Sequence, residues 1–417
     1  MSLLVTPTFL IPDSIAKGLT DGTFERVGGV IREVGSKQVV TWLREINPFG
    51  IPLNPATGVL NLIGSGVNAA ISAKGFSNVN QRLDGIQNQI GAIGKSLQFT
   101  QGILQVSTAA SILNLGVSVM GFAVIAKRLK ELEQRLQKAE GLLNQVNRKI
   151  DLSFYSNFRA ALDLAVNAFT MSKGDNRRSS ALQAINRFLE AEHIYIDNTD
   201  IEIEKQSQIA DEYLLTLSLA YIAEARCYLE IEEHETAILR FQEGAKVIRL
   251  RIQKYVDLLL TSNPAVYLHP EFKRQIDLTR LTRIYQWINS DFDENAVFRL
   301  QRENLFKIAK DHKKWLDSLP PAILDRIEVK GGWLGPNQDD LKQEAFRRLP
   351  QVFDVMESMI ETNRRFESYQ TEIQAISQLG ISFHEWLQLT PATETKPEGA
   401  ELMYIIPSQP LELKLLG

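Results

Sequence analysis

The hydrophobic and polar positions fall into three regimes along the chain. Between Lys95 and Lys127 lies an uncharged stretch, Ser96 to Ala126, reading SLQFTQGILQVSTAASILNLGVSVMGFAVIA. As one helix at about 1.5 Å per residue it would outreach the roughly 30 Å hydrocarbon core of a bilayer. Heptad seams flank it. Val79, Leu83, Ile86, Ile90, Ile93 and Leu97 precede it; Ile125, Leu129, Leu132, Leu136, Ala139, Leu143, Val146 and Ile150 follow. Their alternating four- and three-residue steps are the a/d pattern of helices that pack on helices.

The remaining segments complete a five-part organisation. Residues 1–56 are mixed and punctuated by prolines, with an amphipathic helix predicted over Phe24 to Ile46. Residues 57–153 form the apolar and heptad region, including a second apolar piece at Thr57 to Ala73. Residues 154–320 read as a body of helical hairpins, and 321–390 as a C-terminal helical region with a long amphipathic helix at Asp339 to Leu379. Val352, Met356, Met359, Phe366, Ile373 and Ile376 are placed on one side of it. In the tail, 391–417, Glu401 to Ile406 suits an edge strand or a docked segment. The fold class expected is all-α: an elongated helical bundle with heptad helices flanking an apolar insert, followed by antiparallel hairpins.

The insert has two readings. It is either a buried core helix or a segment that enters lipid. In the second, Val106, Ile112, Leu113, Leu115, Val117, Val119, Met120, Phe122 and Val124 insert. Carrying the heptad register forward puts Thr100, Ser107, Ser111, Asn114, Ser118 and Gly121 on one face, a polar stripe of the sort that joins helices in lipid. Lys127, Arg128 and Lys130 follow, where cations meet lipid headgroups. Gln98, Gln101 and Gln105 are awkward deep in lipid, so a span is expected to start near Val106.

This order resembles the α-helical pore-forming toxins of the cytolysin A and enterotoxin-component group, over about Thr57 to Ile150. The resemblance implies a soluble form that hides its apolar head, oligomerisation in a membrane and no catalytic residues. The helix before the insert is shorter and richer in glycine than that group has, and the hairpin body is not part of it. From Ala220 to Ala245 the chain resembles a tetratricopeptide repeat. Ala225, Tyr228, Ala237 and Phe241 stand at the repeat's small and aromatic positions, and Glu232 where its turn glycine usually stands. Ala184, Phe188 and Ala191 repeat the second-helix part. In an adaptor of that kind Tyr228 and Phe241 would face a protein partner in the groove.

Charge and chemistry narrow the classes. A net charge of −4 gives no global attraction to nucleic acid, and the basic stretch Lys127 to Lys149 lacks aromatic residues for base stacking. Cys227 is the one cysteine, so no internal disulfide is expected. The first residues lack a basic stretch ahead of their apolar ones, so cytoplasmic synthesis without a secretory leader is expected. Gly91-Ala-Ile-Gly-Lys-Ser96 has Gln89 where a phosphate-binding loop needs glycine, and a heptad helix where it needs a strand. Gly64-Ser-Gly66 lacks the rest of a dinucleotide fingerprint. Glu190-Ala-Glu-His193 has no second Glu-x-x-His to complete a di-iron set, and Asp291-Phe-Asp-Glu294 lacks a calcium loop's glycine. No catalytic cluster, cofactor or metal is expected. The function expected is a membrane-active effector, inserting as a homo-oligomer; the alternative is a soluble helical scaffold that binds a protein partner.

Overall fold

The computed structural model describes residues 8–45, 101–105, 113, 120–143, 153–310, 314–326, 329, 336–388 and 402–405. The architecture is an all-α bundle carrying a small sheet. The helices of the bundle are α2 (Phe122–Leu143), α3 (Ser153–Thr170), α4 (Gly174–Glu204), α5 (Ala210–Glu230) and α6 (His234–Leu260). They are followed by α7 (Leu278–Ile288), α8 (Glu294–Lys310), α9 (Lys314–Asp317), α10 (Gln338–Leu379) and α11 (Phe383–Gln388). Two short 3-10 turns, Pro264–Leu268 and Pro270–Phe272, link α6 to α7. Ahead of the bundle come β1 (Thr8–Pro12), α1 (Asp13–Asp21), β2 (Phe24–Val27), β3 (Val30–Glu33), β4 (Val39–Glu45) and β5 (Gln101–Gln105).

Helices α3 to α6 pack each against the next, and α10 lies along α6. The sequence LLTLSLAYIAEARCYL makes α5 apolar on nearly every face, and it is buried almost throughout. An all-round apolar helix belongs at the centre of a bundle. The α5–α6 turn places Glu232 at φ +60°, the left-handed region that glycine occupies at less cost. The heptad prediction after the insert holds for Ile125, Leu129, Leu132 and Leu136, all fully buried. The front seam, Val79 to Leu97, and the apolar piece at Thr57 to Ala73 lie outside the described residues.

Helix α10 begins within a residue of its predicted start. Asn337 accepts from the backbone N–H groups of Asp339 and Asp340, and Asp340 returns the bond to Asn337 N–H. This reciprocal cap satisfies donors that a helix start leaves open. Gly380 at φ +62° ends the helix. The predicted apolar side is present, with Met356, Met359, Phe366, Ile373 and Ile376 buried and Val352 packed against the core; from Met356 to Ile376 polar residues such as Glu361, Asn363, Arg365, Gln370 and Glu372 are buried as well. The helix runs through the protein, and its polar side meets partners from other elements.

The amphipathic helix predicted at Phe24 to Ile46 is instead a meander of β2, β3 and β4. Gly28 and Gly29 make the two-residue turn between paired Val27 and Val30, with Gly28 at φ +55°. Such tight hairpins need residues that tolerate positive φ. The tail supplies β6 (Leu402–Ile405), antiparallel to β4 and completing the order β2-β3-β4-β6. The Glu401 to Ile406 edge strand is therefore present. Helix α11 bridges sheet and bundle. Its Trp386 meets Trp42 edge-on at 5.8 Å, and its indole N–H donates to Glu372 of α10 at 2.7 Å.

Candidate functional site

The uncharged run does not form one helix. Gln101–Gln105 is the strand β5, antiparallel to β1 with Leu10 opposite Ile103. Leu113 lies in a bend, and Met120 and Gly121 precede α2, which starts at Phe122. Among the described residues no helix is long and apolar enough to cross a membrane. The continuous Ser96 to Ala126 helix is thereby overturned for this state. Gly102 and the paired β1 strand favour an extended segment whose backbone groups are met between strands.

The described apolar residues of the run are held by protein. Leu113, Met120 and Phe122 are at most 2% exposed, and Val124 is half-buried. Phe122 stacks on Phe169 of α3 at 5.5 Å. Val106, Ile112, Leu115, Val117 and Val119 lie outside the described residues, as do Thr100, Ser107, Ser111, Asn114 and Ser118 of the polar stripe. Of the headgroup candidates, Lys127 and Lys130 are exposed. Arg128 is not an open headgroup ligand: it is half-buried and ion-paired with Glu131 at 2.9 Å. The two sit one helical turn apart, where such pairs form.

The groove expected to receive a partner at the hairpin is occupied by the chain's own α10. Phe241 is fully buried and packs edge-on against Phe366 and Tyr369, each at 5.6 Å. Gln370 donates to the Phe241 carbonyl, and Asn363 to that of Ala245. Phe241 is thus corrected from a partner-facing residue to a core one. Tyr228 is half-buried against the same core.

Two groups of buried acids were not singled out from sequence. Arg240 of α6 reaches Glu192 of α4 at 2.5 Å and Glu224 of α5 at 2.6 Å, and also pairs with Glu243. Burial, and then the neighbouring Glu224, pushes the Glu192 carboxyl well above its ordinary range. Burial raises Glu224 too. Through Arg240 the two carboxyls pin three helices together.

The second group borders a cavity of about 330 Å³ between the α4–α5 turn, α6, residues 321–325 and α10. Asp211 and Glu212 stand in the first turn of α5. Burial pushes Asp211 up to about 6, against the pull of Arg135. Burial and then Asp211 push Glu212 up to about 8. Arg135 of α2 pairs with Glu212 at 3.3 Å. Asp211 Oδ1 and Glu212 Oε2 are buried without a hydrogen-bond partner among the described residues, an arrangement that costs about 1–3 kcal/mol per group unless a ligand or water completes it. Acids after Ile209 read from sequence as an ordinary helix start; only the tertiary enclosure reveals them.

Among the described residues no three His, Cys, Asp or Glu side chains are gathered to hold a metal ion. Glu190 and His193 belong to no such group among the described residues. Cys227 is fully buried and free, and burial pushes its thiol well up, away from the reactive thiolate. No family model matches this chain, and neither the curated proteins nor the solved structures contain a match to it.

Proposed function

We propose that this chain is a membrane-active protein whose folded form stores an apolar segment and yields it to a bilayer as an oligomer. The observation that carries the reading is the Ser96–Ala126 run itself, uncharged and of membrane-spanning length. In the stored form its described parts are the strand β5, the buried Leu113 and Met120, and the first turn of α2. In the inserted state β5 has left β1 and the stretch from Val106 runs as one helix into α2, because lipid leaves no backbone group unpaired. The rest of α2 from Lys127, basic and amphipathic, follows the inserted part directly.

Dye release from vesicles containing anionic lipid tests this with the paired variant Leu10→Cys, Ile103→Cys. These residues are opposite each other in the β1–β5 register. A disulfide between them is expected to suppress release, and reduction to restore it. Equal behaviour of the oxidised and reduced protein, or no release from either, sinks the proposal.

A helical scaffold is the second reading, and α8 favours it. Phe298, Leu305 and Phe306 are 53%, 43% and 63% exposed, and Phe298 and Leu305 are two turns apart on one face. Partner capture that is lost in Phe298→Ser, Phe306→Ser, with no vesicle leakage by the parent protein, would support it.

A further inference from the structure

Helix α6 carries two seams on opposite faces. Ala237, Phe241, Gly244, Ile248 and Ile252 form the inner one, buried against α5 and α10. The outer one is Leu239, Glu243, Lys246 and Leu250. Its steps of four, three and four residues are the spacing by which one helix packs along another. No described element covers it. Leu239 and Leu250 are 58% and 60% exposed, and Glu243 and Lys246 are exposed between them. Isolated surface leucines are ordinary; here two share one seam and bracket an acid and a base.

The order of residues along the seam selects its occupant. It is symmetric about the point midway between Gly244 and Ala245. Leu239 and Leu250 stand equally far from that point, as do Glu243 and Lys246, and as do the half-buried Thr236 and Gln253 outside them. Turned end for end, the seam is its own complement. A second α6 laid antiparallel sets Leu239 against Leu250, Glu243 against Lys246 and Thr236 against Gln253, each twice. A parallel copy in the same register would set Glu243 on Glu243 and Lys246 on Lys246, and like charges face to face repel. Both charges are open to a second copy. Lys246 makes no ion pair among the described residues. Glu243 bonds Arg240 through Oε2, and its side chain is 57% exposed, so Oε1 remains for another cation.

We propose that the outer face of α6 binds a second copy of this chain, antiparallel about a two-fold axis between residues 244 and 245, with Leu239 packed on Leu250 of the second copy and Glu243 paired with its Lys246. A contact of this self-complementary kind closes at two copies. It forms in water and needs no bilayer, so it stands or falls apart from the membrane reading.

Sedimentation of the full chain in lipid-free buffer tests it, over about 1 to 200 µM. Two leucines per copy make a small apolar contact, so a reversible dimer with a dissociation constant on the order of 10 µM is expected. Glu243→Lys and Lys246→Glu each put like charges across the axis and are expected to weaken self-association about tenfold or more. Mixed in equal amounts, the two variants regain both ion pairs, and the mixture is expected to dimerise where neither does alone. Cysteines read the direction of packing. Leu239→Cys mixed with Leu250→Cys is expected to give a covalent dimer on mild oxidation. Leu239→Cys alone is expected to give none, because its two copies lie about 16 Å apart along the axis. Cys227 is buried and stays out of the reaction. Should a charge variant fail to fold, the cysteine mixture decides alone. A monomer at every concentration, a dimer indifferent to both charge variants, no rescue on mixing folded variants, or crosslinking of Leu239→Cys with itself overturns the proposal. Vesicle binding by such a monomer, lost in Leu239→Ser, Leu250→Ser, would assign the face to lipid instead.

Discussion

Arg26 of β2 grips Glu361 of α10 with both terminal nitrogens, each 2.9 Å from a different carboxylate oxygen. The two residues are far apart in sequence, and the fork fixes the sheet to the bundle. Arg26 also donates to the Gly28 carbonyl at 2.7 Å. Gly28 approaches α10 so closely that an added Cβ would meet Ser368 Oγ at 2.6 Å and the Arg364 carbonyl at 2.7 Å. Burial alone would raise Glu361; Arg26 and then Arg365 outweigh it and hold the carboxyl at about 2.

Glu361→Gln is expected to lower the unfolding free energy by about 3 kcal/mol at neutral pH, since it strands buried arginines without their carboxylate. The pH dependence has a definite sign. The folded value lies below the ordinary 4.5, so the pair's contribution is full above that value and drains away as pH falls toward about 2. Denaturant melts from pH 7 to pH 2 are expected to show a loss in the parent that the variant lacks.

Phe241→Ala is expected to cost about 3–5 kcal/mol, the range for emptying a buried phenylalanine site. Tyr228→Ala, at a half-buried position, is expected to cost far less. Comparable small losses for both, read from urea midpoints, would contradict the placement of α10 in the hairpin groove.

Gln206 stands just past the end of α4 at φ +52°, with its N–H bonded to the Ile203 carbonyl and that of Ser207 to Glu202. This is the left-handed closing position that glycine prefers. Gln206→Gly is expected to stabilise the protein by about 1 kcal/mol, and Gln206→Ala to give no such gain. Thermal midpoints of the two variants separate these outcomes.

Cys227 is expected to resist a thiol reagent such as dithionitrobenzoate in the folded protein and to yield one equivalent in denaturant. Burial raises its thiol and closes access to it. Rapid native labelling would contradict the buried position.

Helical period carried the sequence reading furthest. The seam from Ile125 to Leu136, the α5–α6 hairpin and the long α10 all follow from it, because a repeating apolar face has to be covered whatever covers it. The period misled over Phe24 to Ile46, where Val, Ile and Trp recur at spacings that also suit alternating strands. There the Gly28-Gly29 pair was the better signal. In the uncharged run, composition reports length and greasiness but not conformation, and pairing with β1, a distant segment, decides for a strand at Gln101–Gln105. Phe241 looked like a docking residue because the hairpin motif says nothing of α10. Asp211 and Tyr255 line one cavity only after α5 and α6 have folded together, so no spacing announces them.

Helix α2 has a consequence beyond packing. Its 22 residues make a rod of about 33 Å. Near its first turn Phe122 rests on Phe169; farther along, Ala139 forms part of the cavity wall and Arg135 holds Glu212. A hydrogen-bonded helix neither stretches nor shortens along its axis under modest load. Any axial slide that draws Phe122 off its aromatic seat therefore drags Ala139 and Arg135 by the same distance, and the two ends keep a common account of where the rod is.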